Sequence, residues 1–152
     1  MNKINIAGHG PDDWIYYKKI HRGKYKYELI RMTWAKMPDG IRQFVSRPVG
    51  NDFVVIDANG WMHISSGYAW DGPSGPTIDT KNFMRGSLFH DALYQLMREG
   101  MLPQEARLAA DRLLRVHCRE DGMSAVRAWW VFWGVRIGGA SSARLKTISP
   151  LD

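Results

Sequence analysis

The run His90-Asp91-Ala92-Leu93-Tyr94 gathers three side chains able to take part in proton transfer or cation binding within about one helical turn. At about 100° per residue, His90 points the same way as Phe83, Leu93, Tyr94 and Met97, on the inward face of its helix. Asp91 falls about 100° round, at the edge of that face. On the next helix, Asp111 shares an apolar face with Leu108, Leu114 and Cys118. The short connection Gly100-Met101-Leu102 makes the two helices antiparallel neighbours, with His90 and Asp111 level across the pair. An inward imidazole and an inward carboxylate at one height should be hydrogen-bonded. Two readings follow: a general base whose tautomer is fixed by Asp111, supported by Tyr94, or a purely structural polar network.

Ahead of that helix, Asp71-Gly72-Pro73-Ser74-Gly75-Pro76 offers backbone carbonyls, a hydroxyl and a carboxylate. Asp71 and Asp91 together suggest an oxygen-ligand site for a divalent cation, calcium first. Read alone, the same Gly/Pro cluster is only a turn.

The elements that must position these groups fall into two halves. Tyr25, Tyr27 and Leu29 alternate as in a strand, and Met37-Pro38-Asp39-Gly40 is a turn. Two β-prone runs flank Asp57-Ala58-Asn59-Gly60, so a hairpin is expected over about 53–69, its Asn-Gly tolerant of positive φ. Asp79 or Thr80 can cap a helix reaching Glu99. Pro103 opens a second helix over 104–119, and Ser124 caps a third over 125–137, halted by Gly138-Gly139. The predicted class is α+β: an N-terminal antiparallel sheet followed by three helices. The expected layout is one domain, with a β-rich part at 1–70, a loop at 71–78, a helical part at 79–138 and an extended tail at 139–152.

Composition sets the outer bounds. A chain of 152 residues with 45% hydrophobic residues can build a packed core. Its one cysteine, Cys118, excludes an internal disulfide framework and a cysteine-based zinc cluster. No run approaches the roughly 20 apolar residues of a membrane span, and the first ten residues lack a signal-peptide core. The expected location is therefore the cytoplasm, and incorporation into a virion would leave no trace in the sequence. A net charge of +6 attracts phosphate, but the basic residues are scattered and form no nucleic-acid motif. A nucleic-acid partner ranks last.

The segment from Arg127 to Arg136 contains Trp129, Trp130 and Trp133 and is apolar nearly all round. Burial against the sheet is the first expectation. The alternatives are a docked partner or a lipid interface with the tryptophans at headgroup depth and Arg127 and Arg136 to either side.

Tyr68 to Pro76, the His90-Asp91-x-x-Tyr94 helix, Ala110-Asp111 and the aromatic last helix with Val135-Arg136-x-Gly138 resemble the phage and bacterial domain-of-unknown-function family 1353. That resemblance spans roughly the second half of the chain and implies a phage or prophage origin without an activity. His-Asp-x-x-Tyr followed by a helix bearing Asp is also similar to the secreted A2-type phospholipases. That likeness implies His90 as base, Asp91 as calcium ligand, Asp111 as orienting group and Tyr94 as its support. The disulfides and the usual calcium loop of those enzymes are absent. The expected function is a phage-encoded protein that binds a host or virion protein, as an inhibitor of host defence or an assembly component. The alternative is a metal-dependent hydrolase, and only in that case is a membrane surface an expected partner.

Overall fold

The computed structural model of the chain describes residues 3–72 and 80–145. Residues 73–77 of the Gly/Pro loop, Asp79 as a helix cap and the tail from 146 onward lie outside them. Within them, antiparallel strands come first and helices follow, the expected α+β order.

The strands form two sheets rather than one. β1 (Asn5–Ala7), β2 (Ile15–Arg22) and β3 (Tyr25–Leu29) pair in succession. After Leu29 the chain leaves this sheet, and β4 (Thr33–Lys36) starts the second. A single helical turn, α1 (Asp39–Arg42), then leads to β5 (Val49–Gly50), β6 (Val54–Ile56) and β7 (Trp61–Ile64). β8 (Ala69–Trp70) returns to pair with β3. The strand orders are β1-β2-β3-β8 and β4-β7-β6-β5. The expected hairpin exists, but it closes at Ile64, because residues 69–70 belong to the other sheet.

The hairpin turn is also built differently from the Asn-Gly expectation. Asn59 keeps negative φ, and only Gly60, at +83°, takes the left-handed conformation. Asp57 organises the turn: its Oδ1 accepts from the N–H groups of Asn59 at 2.9 Å and Trp61 at 3.0 Å.

The helical half holds α2 (Lys81–Arg98), then a 3₁₀ turn (Gln104–Ala106) running into α3 (Arg107–Glu120), and α4 (Ala125–Gly138). Ser124 caps α4 as predicted, accepting from the Arg127 N–H at 3.2 Å. The extended tail is a misreading at its start, since Ala140–Ala143 form the short helix α5.

One core cluster joins the inner sheet faces (Ile15, Leu29, Val54, Ile56, Met62, Ile64) to Leu88, Leu93 and Met97 of α2. A second cluster, of Phe83, Leu114, Cys118, Met123, Ala128 and Val131, packs α4 onto α2 and α3. The aromatic helix therefore docks on helices, not on the sheet. Among the described residues, no helix is long and apolar enough to cross a membrane.

Candidate active site

α2 and α3 form the most extensive helix pair of the fold, and they set His90 and Asp111 at one level. His90 Nε2 lies 2.8 Å from Asp111 Oδ1. A carboxylate only accepts, so Nε2 carries a proton, and in the neutral ring Nδ1 is left with its lone pair. The Tyr94 hydroxyl, one turn along α2, donates to the same Oδ1 at 2.6 Å, and its ring packs beside the imidazole at 4.1 Å between centroids.

Asp111 is fully buried, and its second oxygen is compensated from the opposite side. Arg136 Nη1 of α4 donates to Oδ2 at 2.8 Å. Arg107, one turn before Asp111, donates from Nε to the Tyr94 hydroxyl at 3.1 Å. Its Nη2 closes the end of α4 by donating to Val135 O and Arg136 O, both at 2.7 Å. One carboxylate thus ties three helices together.

These contacts set the protonation preferences. Burial works against a charged imidazole, but the hydrogen bonds and charges of Asp111 and Asp91 outweigh it and hold His90 above the ordinary histidine value. Burial also opposes the Asp111 carboxylate, yet His90, Tyr94 and Arg136 hold it below the ordinary range. Desolvation, with Asp111 accepting from its hydroxyl, pushes Tyr94 up.

The side of the imidazole away from Asp111 faces Asp91. His90 Nδ1 lies 3.8 Å from Asp91 Oδ1, and the Asp91 side chain keeps 30% exposure while His90 is nearly covered. Asp71 is brought towards this side by Trp70, whose buried indole donates to Ser87 Oγ of α2 at 3.2 Å. Ser87 stands one helical turn before Asp91. Burial raises Asp91 above the usual carboxylate range, and the neighbouring Asp71 charge adds to that rise. Among the described residues, one oxygen of Asp71, Oδ1, is buried without a hydrogen-bond partner. A buried carboxylate oxygen with no donor, near a second carboxylate, fits a cation ligand pair. Among the described residues, however, no group of three or more His, Cys, Asp or Glu side chains stands close enough to hold a metal.

Three sequence expectations change here. Arg136 and Arg127, assigned to an interface, turn inward: Arg136 pairs with Asp111, and Arg127 donates to Thr80 Oγ1 at 2.7 Å. Leu108, placed on the inward face with Asp111, is instead 37% exposed. Trp129, Trp130 and Trp133 are exposed rather than packed on the sheet. Sequence reasoning missed Arg107 altogether. Its position four residues before Asp111 was the available signal, since charges at that spacing share a helix face.

Fold and site together define an α+β protein with a carboxylate-anchored imidazole set between two antiparallel helices. Comparison of the chain with protein-family models, curated proteins and solved structures gives no match.

Proposed function

We propose that the protein is a hydrolase of esters or phosphoesters in which His90 activates water. The observation that carries this reading is the anchored imidazole: Asp111 occupies Nε2, which leaves Nδ1 as the basic nitrogen on the more open side. Water placed against Nδ1 would lose a proton to it while its oxygen attacks the substrate carbonyl or phosphorus; the bond to the leaving oxygen then breaks, and the imidazolium returns the proton to the departing alcohol. The resulting imidazolium faces Asp111, whose carboxylate Arg136 and Tyr94 keep ionised and fixed. The base thus needs little reorientation during the reaction. Asp91 and Asp71 are the side chains that would hold a divalent cation, and calcium suits their oxygen chemistry. Such a cation supplies charge stabilisation for the oxyanion. The similarity to A2-type phospholipases points the same way for His90, Asp91, Tyr94 and Asp111. The setting we propose, the cytoplasm of a phage-bearing bacterium, rests on the family 1353 resemblance.

A binder of a host or virion protein, the reading that composition and phage resemblance favour, leaves this network without a chemical task. One variant separates the two. Purified protein is assayed on carboxyl esters, phosphoesters and phospholipids with calcium and with a chelator. Turnover should fall by at least about 100-fold in His90→Gln, the scale of a lost general base, while circular dichroism stays unchanged. Absence of turnover across the panel with calcium present, or a fully active His90→Gln, removes the hydrolase reading.

A further inference from the structure

We propose that the outward face of α4 docks the protein on anionic lipid bilayers. Val126, Trp129, Trp130, Trp133 and Ile137 all face solvent, Trp130 at 66% and Ile137 at 82% exposure. Their spacing is that of a single helix face, and at about 100° per residue they fill an arc of about 100°. The opposite side of the helix carries Ala128 and Val131, which are buried against α2 and α3. The fold therefore consumes one apolar side of α4 and leaves the other in water. Trp129 meets Trp130 edge-on at 5.2 Å between centroids and Trp133 at 6.4 Å, so the indoles form one continuous surface. Exposed apolar surface of this continuity marks an interaction site.

Charge identifies the occupant. α4 contains no acidic residue, and both of its arginines are engaged with the interior. α3, packed along α4, exposes Arg112, Arg115 and Arg119 at a spacing that shares one face. Among the described residues, Arg112 and Arg115 have no acidic partner within ion-pair distance. An apolar, indole-rich stripe on α4 and a row of exposed guanidinium groups on the helix packed against it, on a chain of net charge +6, complement acyl chains beneath anionic headgroups. A second copy of the chain would instead set like charges beside each other. The inference invokes no chemistry at His90 and stands apart from the hydrolase reading.

The test is co-sedimentation of the full chain with vesicles of phosphatidylcholine, with and without phosphatidylglycerol. Binding is expected to the phosphatidylglycerol vesicles, to weaken with salt, and to be unaffected by His90→Gln. The triple variant Trp129→Ser, Trp130→Ser, Trp133→Ser should lose at least about tenfold in binding, and Arg112→Gln or Arg115→Gln about fivefold each. Because these side chains are exposed, the variants should keep the wild-type circular dichroism spectrum and a cooperative unfolding transition. Ile137→Glu, a single outward charge, gives the same loss independently should the triple variant misfold. The proposal is overturned if wild-type protein stays in the supernatant, or if the tryptophan variants and Ile137→Glu sediment like wild type. A dimer in solution that these variants dissociate also overturns it, assigning the face to a second copy.

Discussion

Replacing Asp111 is the most informative single perturbation of the network. Its two oxygens have different partners: Oδ1 accepts from His90 and Tyr94, and Oδ2 accepts from Arg136. Asp111→Ala removes all three acceptor contacts at once, and His90 and Tyr94 are too buried to find water in their place. Breaking a buried ion pair by deleting one partner costs about 3–5 kcal/mol. Arg136 keeps 26% of its side chain exposed and can be partly resolvated, which places the expected loss near the lower end, about 3 kcal/mol. Asp111→Asn should cost less, about 2 kcal/mol, because an amide oxygen can still accept from His90 and Tyr94 while its NH₂ opposes the Arg136 guanidinium. A protein with ordinary stability of about 5–15 kcal/mol remains folded in both variants. Urea unfolding followed by circular dichroism gives the two differences directly, provided the slope with denaturant is unchanged. A loss below about 1 kcal/mol in Asp111→Ala, or an amide variant less stable than the alanine one, would refute the described network.

Three further outcomes follow from other parts of the molecule. Burial, helped by the charges of Arg85 and His9, pushes His117 down to about 3, so this histidine stays neutral in the fold while the unfolded chain protonates it near 6.5. Between those values the unfolded chain binds the extra proton, so the fold loses stability as pH falls from about 6.5 towards 3, by up to about 1.4 kcal/mol per pH unit, and is unaffected above that range; His117→Phe should flatten that acid limb, whereas an NMR titration of His117 near 6.5 contradicts the assignment. Gly86 of α2 lies against α3, where an added Cβ would stand 3.0 Å from Leu114 Cδ1 and 3.1 Å from Cys118 Sγ, so Gly86→Ala should destabilise by about 1–2 kcal/mol despite its better helix propensity, read by thermal unfolding. Burial pushes the Cys118 thiol up to about 12, so a thiol reagent should label it only on unfolding, and rapid labelling of native protein at pH 8 would show the second core to be open.

Features set by local chemistry were legible in the sequence. The inward placement of His90 and Asp111 follows from helix period and a short connection, and their 2.8 Å contact was anticipated. Ser124 as the cap of α4 and the class of the fold were equally readable. What was hidden depends on long side chains and tertiary choice. Arg136 reaches the network, and Arg107 meets the end of α4, only because α4 packs alongside α3, a pairing no periodicity encodes. The division into two sheets turns on the chain departing after Leu29 and returning at Ala69, and both segments look like ordinary strand. The orientation of α4 was ambiguous because Ala128 and Val131 on one side are as apolar as the tryptophan stripe on the other. Gly138-Gly139 read as a stop, yet the chain resumes helix at Ala140, because Gly139 keeps a right-handed helical conformation between the two segments.

The tautomer of His90 tests the central claim most directly. Long-range ¹H–¹⁵N correlation spectra of the labelled protein, at a pH high enough to deprotonate this ring, distinguish a proton on Nε2 from one on Nδ1. The anchored base requires the Nε2–H form in wild type, with a mixture of forms once Asp111→Ala removes the acceptor. A wild-type ring protonated at Nδ1 would mean that Asp111 does not hold the imidazole and that no basic nitrogen faces Asp91.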